Sequence, residues 1–169
     1  IARILGLGYP GGPIISKYAE NGSPVAYSLP RPILNTKKYD FSFSGLKTAV
    51  LYLVRDLEKL NKKQKYDIAA SAQEAIVDVL AIKTMRAAKE YKVKSLMLSG
   101  GVSANNHLRQ RLSAIAKELD ITYFQPQKEY TGDNAAMIAM AAYYNRRQKK
   151  NKNAETWRSV TPNSNWEIV

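Results

Sequence analysis

The sequence predicts an α/β domain in which helices cover a sheet. Apolar residues recur at helical spacing in several separate stretches, and short, compact apolar runs lie between them. From residue 41 onward the two kinds of segment follow one another as strand, helix, helix, strand, helix, strand, helix. A chain of 169 residues, 45% hydrophobic and 24% charged, has the length and balance of one globular domain with a sizeable core.

Taken in order, Ile1 to Leu7 has the look of the last turn or two of a helix whose start is absent. The loop Gly8-Tyr9-Pro10-Gly11-Gly12-Pro13 stops any helix there, because two Pro and three Gly disfavour it. A short helix is expected over Ile14 to Glu20, closed by Asn21-Gly22. Pro24, Pro30 and Pro32 make residues 23–40 extended or irregular. Residues 41–46, FSFSGL, alternate aromatic and small polar side chains and predict a short half-buried strand. Lys47 to Leu60 predicts a helix ending in a basic run. A long helix follows over about 66–91, with Ile68, Ala72, Ala75, Ile76, Val79 and Ile82 on one face. Ser95 to Leu98 predicts a strand, Leu108 to Leu119 an amphipathic helix, and Ile121 to Phe124 a second apolar strand. Ala135 to Tyr144 is a helix of small residues and Met, suited to close packing. Residues 146–152 are basic, and the tail beyond them is polar with Trp157 and Trp166.

Composition narrows the chemistry. With no Cys there is no disulfide, thiolate zinc site or Cys nucleophile, and the one His, His107, excludes a three-His metal site within the chain. No apolar run approaches the ~18 residues that span a membrane, and the N-terminal residues lack the charge and apolar pattern of a signal peptide. A cytoplasmic setting is expected. Twenty-six Lys and Arg against 14 Asp and Glu give a net charge of +12, a field that favours a polyanionic partner such as nucleic acid.

The strongest local motif is Ser99-Gly100-Gly101-Val102-Ser103-Ala104-Asn105, between a predicted strand and helix. Two Gly let backbone turn sharply and approach a ligand, and the helix that follows offers free N–H groups to a phosphate. Asn105 suits a ribose, base or substrate amide, or is simply the N-cap of that helix. Thr131-Gly132-Asp133-Asn134 opens the last helix. Asp133 is by default an N-cap, with metal ligand and general base as alternatives. In Tyr9-Pro10-Gly11-Gly12-Pro13 a rigid turn and a ligand resting on bare backbone at Gly12 are both compatible with the residues. Lys47 can reach an anion or remain solvated. His107 reads as a surface helix residue or as a titrating group near a phosphate. Some of the 11 Tyr, and the basic run 146–152, are candidates for base stacking and phosphate contact.

GLGYPGGPIISKYA, FSFSGLKTAV, SGGVSANNHLR and TGDNAAMIA occur in the order and approximate spacing of the TsaD/Gcp family, and the chain resembles that family over residues 1 to about 145. The resemblance implies an actin-like ATPase fold (ASKHA), in which two RNase H-like lobes hold a nucleotide between them. It implies that residues 1–40 are a remnant of the N-terminal lobe and its connection, 41–145 the C-terminal lobe, and 146–169 a basic polar tail. The family transfers threonylcarbamoyl from threonylcarbamoyl-adenylate to N6 of the adenosine beside the anticodon in tRNAs reading codons that begin with A. By motif, Gly12, Gly100, Gly101 and Asn105 are the expected nucleotide contacts and Asp133 the expected metal ligand. Partner subunits are also implied.

The family's His-x-x-x-His pair, its N-terminal phosphate loop and an acidic residue before YPGG have no counterpart here, and His107 matches neither histidine. An iron or zinc ion would therefore need ligands from elsewhere, and the chain alone is expected to be inactive in transfer. No residue is assigned as catalytic. The rival readings are an isolated nucleotide-binding or scaffold module of the same superfold and a sugar or acetate kinase. A metalloprotease is disfavoured by the missing His-Glu-x-x-His.

Overall fold

In the computed structural model, residues 1–148 are described. The chain divides into two compact units, Ile1–Gly132 and Asp133–Val169. The first holds helices α1 (Gly11–Ala19), α2 (Ser44–Asp56), α3 (Lys62–Glu90) and α4 (Asn106–Glu118) and strands β1 (Ser95–Met97) and β2 (Thr122–Phe124). The second holds α5 (Ala135–Gln148). Lys149, Lys150 and Lys152 of the basic run, and the tail with both Trp, lie outside the described residues.

The mixed helix and strand class is as expected. β1 and β2 pair in parallel with Leu96 opposite Tyr123, and α4 makes the crossover between them. Leu96 and Tyr123 turn toward α4 and pack on Leu108, Leu112 and Ile115, while Met97 and Phe124 point the other way and are exposed. This alternation is the period-2 geometry of strands.

Residues 41–46 are not a strand. Helix α2 starts at Ser44, because Leu46 and Val50, one helical turn apart, are both buried against the cluster of Leu5, Leu29, Ile68, Ala69, Ala72 and Ala75. Burial at i, i+4 outweighs the short aromatic alternation, which finds no ladder partner among the described residues. α1 also begins earlier than expected, at Gly11. Pro10 precedes it and Pro13 lies in its first turn, where a missing N–H costs nothing.

Ile1 to Leu7 form a helical turn closed by two backbone bonds, Leu7 N–H to Ala2 O and Gly6 N–H to Arg3 O, with Gly6 at φ +65°. This is a Schellman C-cap. The same pair of bonds ends α3 at Lys92 and Val93 and α4 at Asp120 and Ile121. There the left-handed positions are held by Lys92 and Asp120 rather than Gly.

α3 is the spine of the first unit. It starts at Lys62 because Asn61 and Gln64 form a reciprocal capping box, each side chain accepting the other's N–H at 2.9 Å. Ile68, Ala72, Ala75 and Val79 are fully buried, as the periodicity predicts. Ile82, expected on the same face, is exposed, and its neighbour Lys83 is buried instead.

The reason lies in the irregular segment 23–40, which crosses α3 and takes its polar partners from it. Asp67 accepts the Ser23 N–H at 2.8 Å, Ser71 Oγ the Tyr27 N–H at 3.2 Å, and Asp78 the Arg31 guanidinium at 2.8 Å. Lys83 Nζ donates to Asp40 O at 2.6 Å, Lys38 O at 3.2 Å and Thr36 Oγ1 at 3.3 Å. Arg86 donates to Lys38 O at 3.1 Å, and Tyr39 donates to Glu90. Irregular backbone has no helix or sheet of its own to pair with, and one helix supplies partners along its length.

Asp67 sits between the Lys63 ammonium at 2.5 Å and the Ser23 N–H. The Lys63 bond first, and the Ser23 amide second, hold its carboxyl below the ordinary aspartate range.

Candidate nucleotide site

A cleft of about 1040 Å³ opens on the other side of α3. Gln73, Ile76, Val77 and Leu80, on one face of α3, line it. Leu108 of α4 and Ile4 and Leu7 of the N-terminal turn extend the apolar floor. Its polar lining includes Ser16, Gln73 and Asn105, and two cations, Arg3 and Lys47, face the same space. Such a mixture of apolar lining and a few polar groups is typical of small-molecule sites.

Of the residues expected to contact a nucleotide, Gly12 and Asn105 lie on this cleft although they are far apart in sequence. Gly12 is in the first turn of α1, and a Cβ added to it would meet no atom within 4 Å. Gly100 and Gly101 precede Val102, which lines the cleft, but are not themselves in its wall. Gly100 has φ +79° and ψ 175°, a backbone conformation that only Gly adopts without strain. The glycines do not run straight into α4, because Gly101–Ala104 forms a 3-10 turn first. Its bonds, Ser103 N–H to Gly100 O at 2.9 Å and Asn105 N–H to Val102 O at 3.0 Å, close the turn before α4 begins at Asn106.

Asn105 is the N-cap of α4. Its Oδ1 accepts the Leu108 N–H at 2.9 Å, and its Nδ2 donates to Ser16 Oγ at 2.9 Å and to Gln73 Oε1 at 2.8 Å. The capping reading is therefore met, and the same side chain also ties α1, α3 and α4 together at the cleft wall.

Behind this wall lies a smaller recess of about 390 Å³, lined by Glu20, Glu74, His107 and Gln110 among others. His107 Nε2 is 2.5 Å from Glu74 Oε2. The histidine is thus paired to α3 on this recess, and the large cleft is lined without it.

Asp133 is exposed and does not cap α5. The cap is Asn134, whose Oδ1 accepts the Met137 N–H at 2.9 Å. Among the described residues no group of three His, Asp or Glu is placed to hold a metal ion. Met137, Ile138 and Met140 of α5 are exposed within their own unit.

Ser16, Gln73 and Arg3 were not singled out from sequence. Ser16 lies inside the GLGYPGGPIISKYA stretch, and Gln73 interrupts the buried run Ala69 to Ala75. A polar residue in an otherwise apolar helix face was the available signal. Arg109 also escaped notice. It donates to Ser103 O and, at 2.7 Å, to Pro126 O, pinning the glycine loop to the segment after β2.

No helix among the described residues is long and apolar enough to cross a membrane. Residues 1–140 match the family model for TsaD, tRNA N6-adenosine threonylcarbamoyltransferase. The chain is 47% identical over 163 residues to the tRNA N6-adenosine threonylcarbamoyltransferase of Thermosipho africanus, which covers 96% of this chain and 48% of the relative. The proteins of the same name from Thermosipho melanesiensis and Herminiimonas arsenicoxydans are each 50% identical, over 85% and 83% of this chain and 43% and 41% of their own length. The chain thus spans less than half the length of these curated relatives. By the extent of the profile match and the level of identity, it belongs to the TsaD family.

Proposed function

We propose that this chain is the nucleotide-side part of a tRNA threonylcarbamoyladenosine transferase and folds as one lobe of an actin-like ATPase. Its substrates are then threonylcarbamoyl-adenylate and a tRNA whose adenosine beside the anticodon is modified at N6. The observation that carries the reading is the meeting of Gly12 and Asn105 on one cleft wall, with Arg3 and Lys47 on the same cleft.

In this reaction the adenosine amine attacks the carbonyl carbon of the threonylcarbamoyl group. The new C–N bond forms, the bond from that carbon to the phosphate oxygen breaks, AMP leaves, and the amine loses a proton. The chain's own contribution is to seat the adenylate. Gly12 gives bare backbone for close approach, and Arg3 and Lys47 offset phosphate charge, which is worth most where water is excluded. Gly100 and Gly101 give the neighbouring loop its shape. No side chain is assigned as general base.

Iron or zinc is the metal that the family likeness suggests, with Asp133 as one ligand. The described residues do not fit a complete site: one exposed carboxylate without imidazole partners holds a divalent ion weakly. No step is therefore routed through a metal. The net charge of +12 supports tRNA as the polyanionic partner, and the remaining pocket and partner subunits belong to other sequence.

The test combines the purified chain, threonylcarbamoyl-adenylate and unmodified tRNA. The expected result is retardation of tRNA that weakens as salt rises, with no modified adenosine formed. Modified adenosine formed by this chain alone would overturn the assignment of a part, and tRNA affinity indifferent to salt would remove the RNA reading.

A further inference from the structure

The corner between α2 and α3 carries Lys59, Lys62, Lys63 and Lys65, and residues 59–65 hold no acid. Lys63 is paired to Asp67. No carboxylate among the described residues pairs with Lys59, Lys62 or Lys65. Lys62 falls on the face of α3 that carries Gln73, Ile76 and Leu80 to the cleft. Its Nζ stands 5.7 Å from the centre of the Tyr66 ring, which packs edge-on against Tyr18 of α1. Lys65 Nζ lies over Gly6, 3.8 Å from where a Cβ would stand. Gly6 N–H bonds Arg3 O at 3.1 Å, and Arg3 lines the cleft. The cations thus run as one track from the corner, across Lys65, to the cleft.

The other end of α3 is built differently. Lys89 is paired there to Glu118 at 3.5 Å, and Lys94 O accepts the Thr122 N–H at 3.1 Å. Lys89, Lys92, Lys94 and Lys117 are therefore interleaved with Glu90, Glu118 and Asp120. Mixed signs cancel at short range, whereas a track of one sign attracts a polyanion.

We infer that the α2–α3 corner is a phosphate-binding surface for RNA, on which Lys59, Lys62 and Lys65 hold the backbone of a strand that reaches the cleft past Arg3. The inference rests on the tRNA reading above and adds to it where the tRNA lies. At about 1.5 Å per residue, Lys62 stands roughly 16 Å along α3 from Gln73 on the cleft wall. The corner therefore meets phosphates away from the reacting base, and it supplies affinity without touching the chemistry. Lysine contacts to phosphate carry no base preference. An anionic membrane offers similar charge but also needs apolar side chains to insert, and Leu57 and Leu60 of this corner pack against the core.

The test is retardation of an unmodified tRNA transcript by the purified 169-residue chain over a salt series. Two variants lose equal charge. One carries Lys59→Gln, Lys62→Gln and Lys65→Gln, and the other Lys92→Gln, Lys94→Gln and Lys117→Gln. The corner variant should bind at least roughly tenfold more weakly at about 0.1 M salt. Its plot of log affinity against log salt should be shallower by about two, the yield of three lost single-strand phosphate contacts. The second variant should keep the wild-type slope. Both should keep a denaturation midpoint close to wild type, which separates this role from a structural one.

Equal losses in the two variants, or a wild-type slope in the corner variant, overturn the inference and leave tRNA as the partner. A wild-type chain that does not retard tRNA overturns both. Phosphatidylserine vesicles that bind the chain more tightly than tRNA does, and lose it in the corner variant, assign the corner to a membrane and overturn the inference.

Discussion

The two sides of α3 are built to opposite rules. On the side crossed by residues 23–40, the polar side chains Asp67, Ser71, Asp78, Lys83 and Arg86 each bond that segment, and Arg86 Nε alone among their buried polar atoms has no partner. The glycine there is also spent: a Cβ on Gly22 would stand 2.1 Å from Tyr66 O and 2.4 Å from Tyr66 C. On the cleft side a Cβ on Gly12 would meet nothing within 4 Å, and the cations Arg3 and Lys47 line the space. One side is occupied by its own fold. The other has features that the fold of this chain does not consume, and these are what a ligand can use.

If that contrast holds, substitutions on the two sides separate into losses of stability and losses of binding. The largest effect belongs to Gly22→Ala. The new Cβ meets backbone atoms, so no flexible side chain can yield. A loss of about 3 kcal/mol is expected, read as a lower denaturant midpoint at unchanged slope. A midpoint within error of wild type would show that this side is less tightly built than its contacts state.

A smaller effect belongs to Asp67. Its carboxyl is held below the ordinary aspartate value of 3.8 by Lys63 and the Ser23 amide. Its contribution is therefore fully present above that value and is lost as pH falls through the lower, folded-state value. Melting temperature followed from pH 6 downward should show an acid-side decline below about 4 that is shallower in Asp67→Asn than in wild type. Parallel acid limbs would remove Asp67 from the account. Lys63 is largely exposed, so the effect is modest.

The legible parts of the molecule were those with a local signature. The periodicity of α3 and α4 showed in the sequence because apolar burial dictates it. Gly12 and Asn105 were picked out by ordered motifs, and both line the cleft. What did not show depends on partners distant in sequence. Lys83 looks like a solvent-facing residue until residues 36–40 deliver carbonyl oxygens to its ammonium. FSFSGL reads as a strand until α3 is there to bury Leu46 and Val50. Lys92 and Asp120 give no hint of a left-handed cap, since the position usually calls for Gly. Adjacent residues can also trade roles: Asn134 took the cap expected of Asp133, since either side chain can accept from the helix.

Gly12→Ala tests the contrast most directly. Gly12 has open space around its Cα and lies in the first turn of α1, so Ala should leave stability unchanged or raise it by up to about 1 kcal/mol. The measurement is AMP affinity and denaturation midpoint on the same purified protein. The account predicts an undiminished midpoint with AMP affinity lowered at least tenfold. Wild-type affinity retained in Gly12→Ala, or a midpoint that falls together with binding, would contradict it.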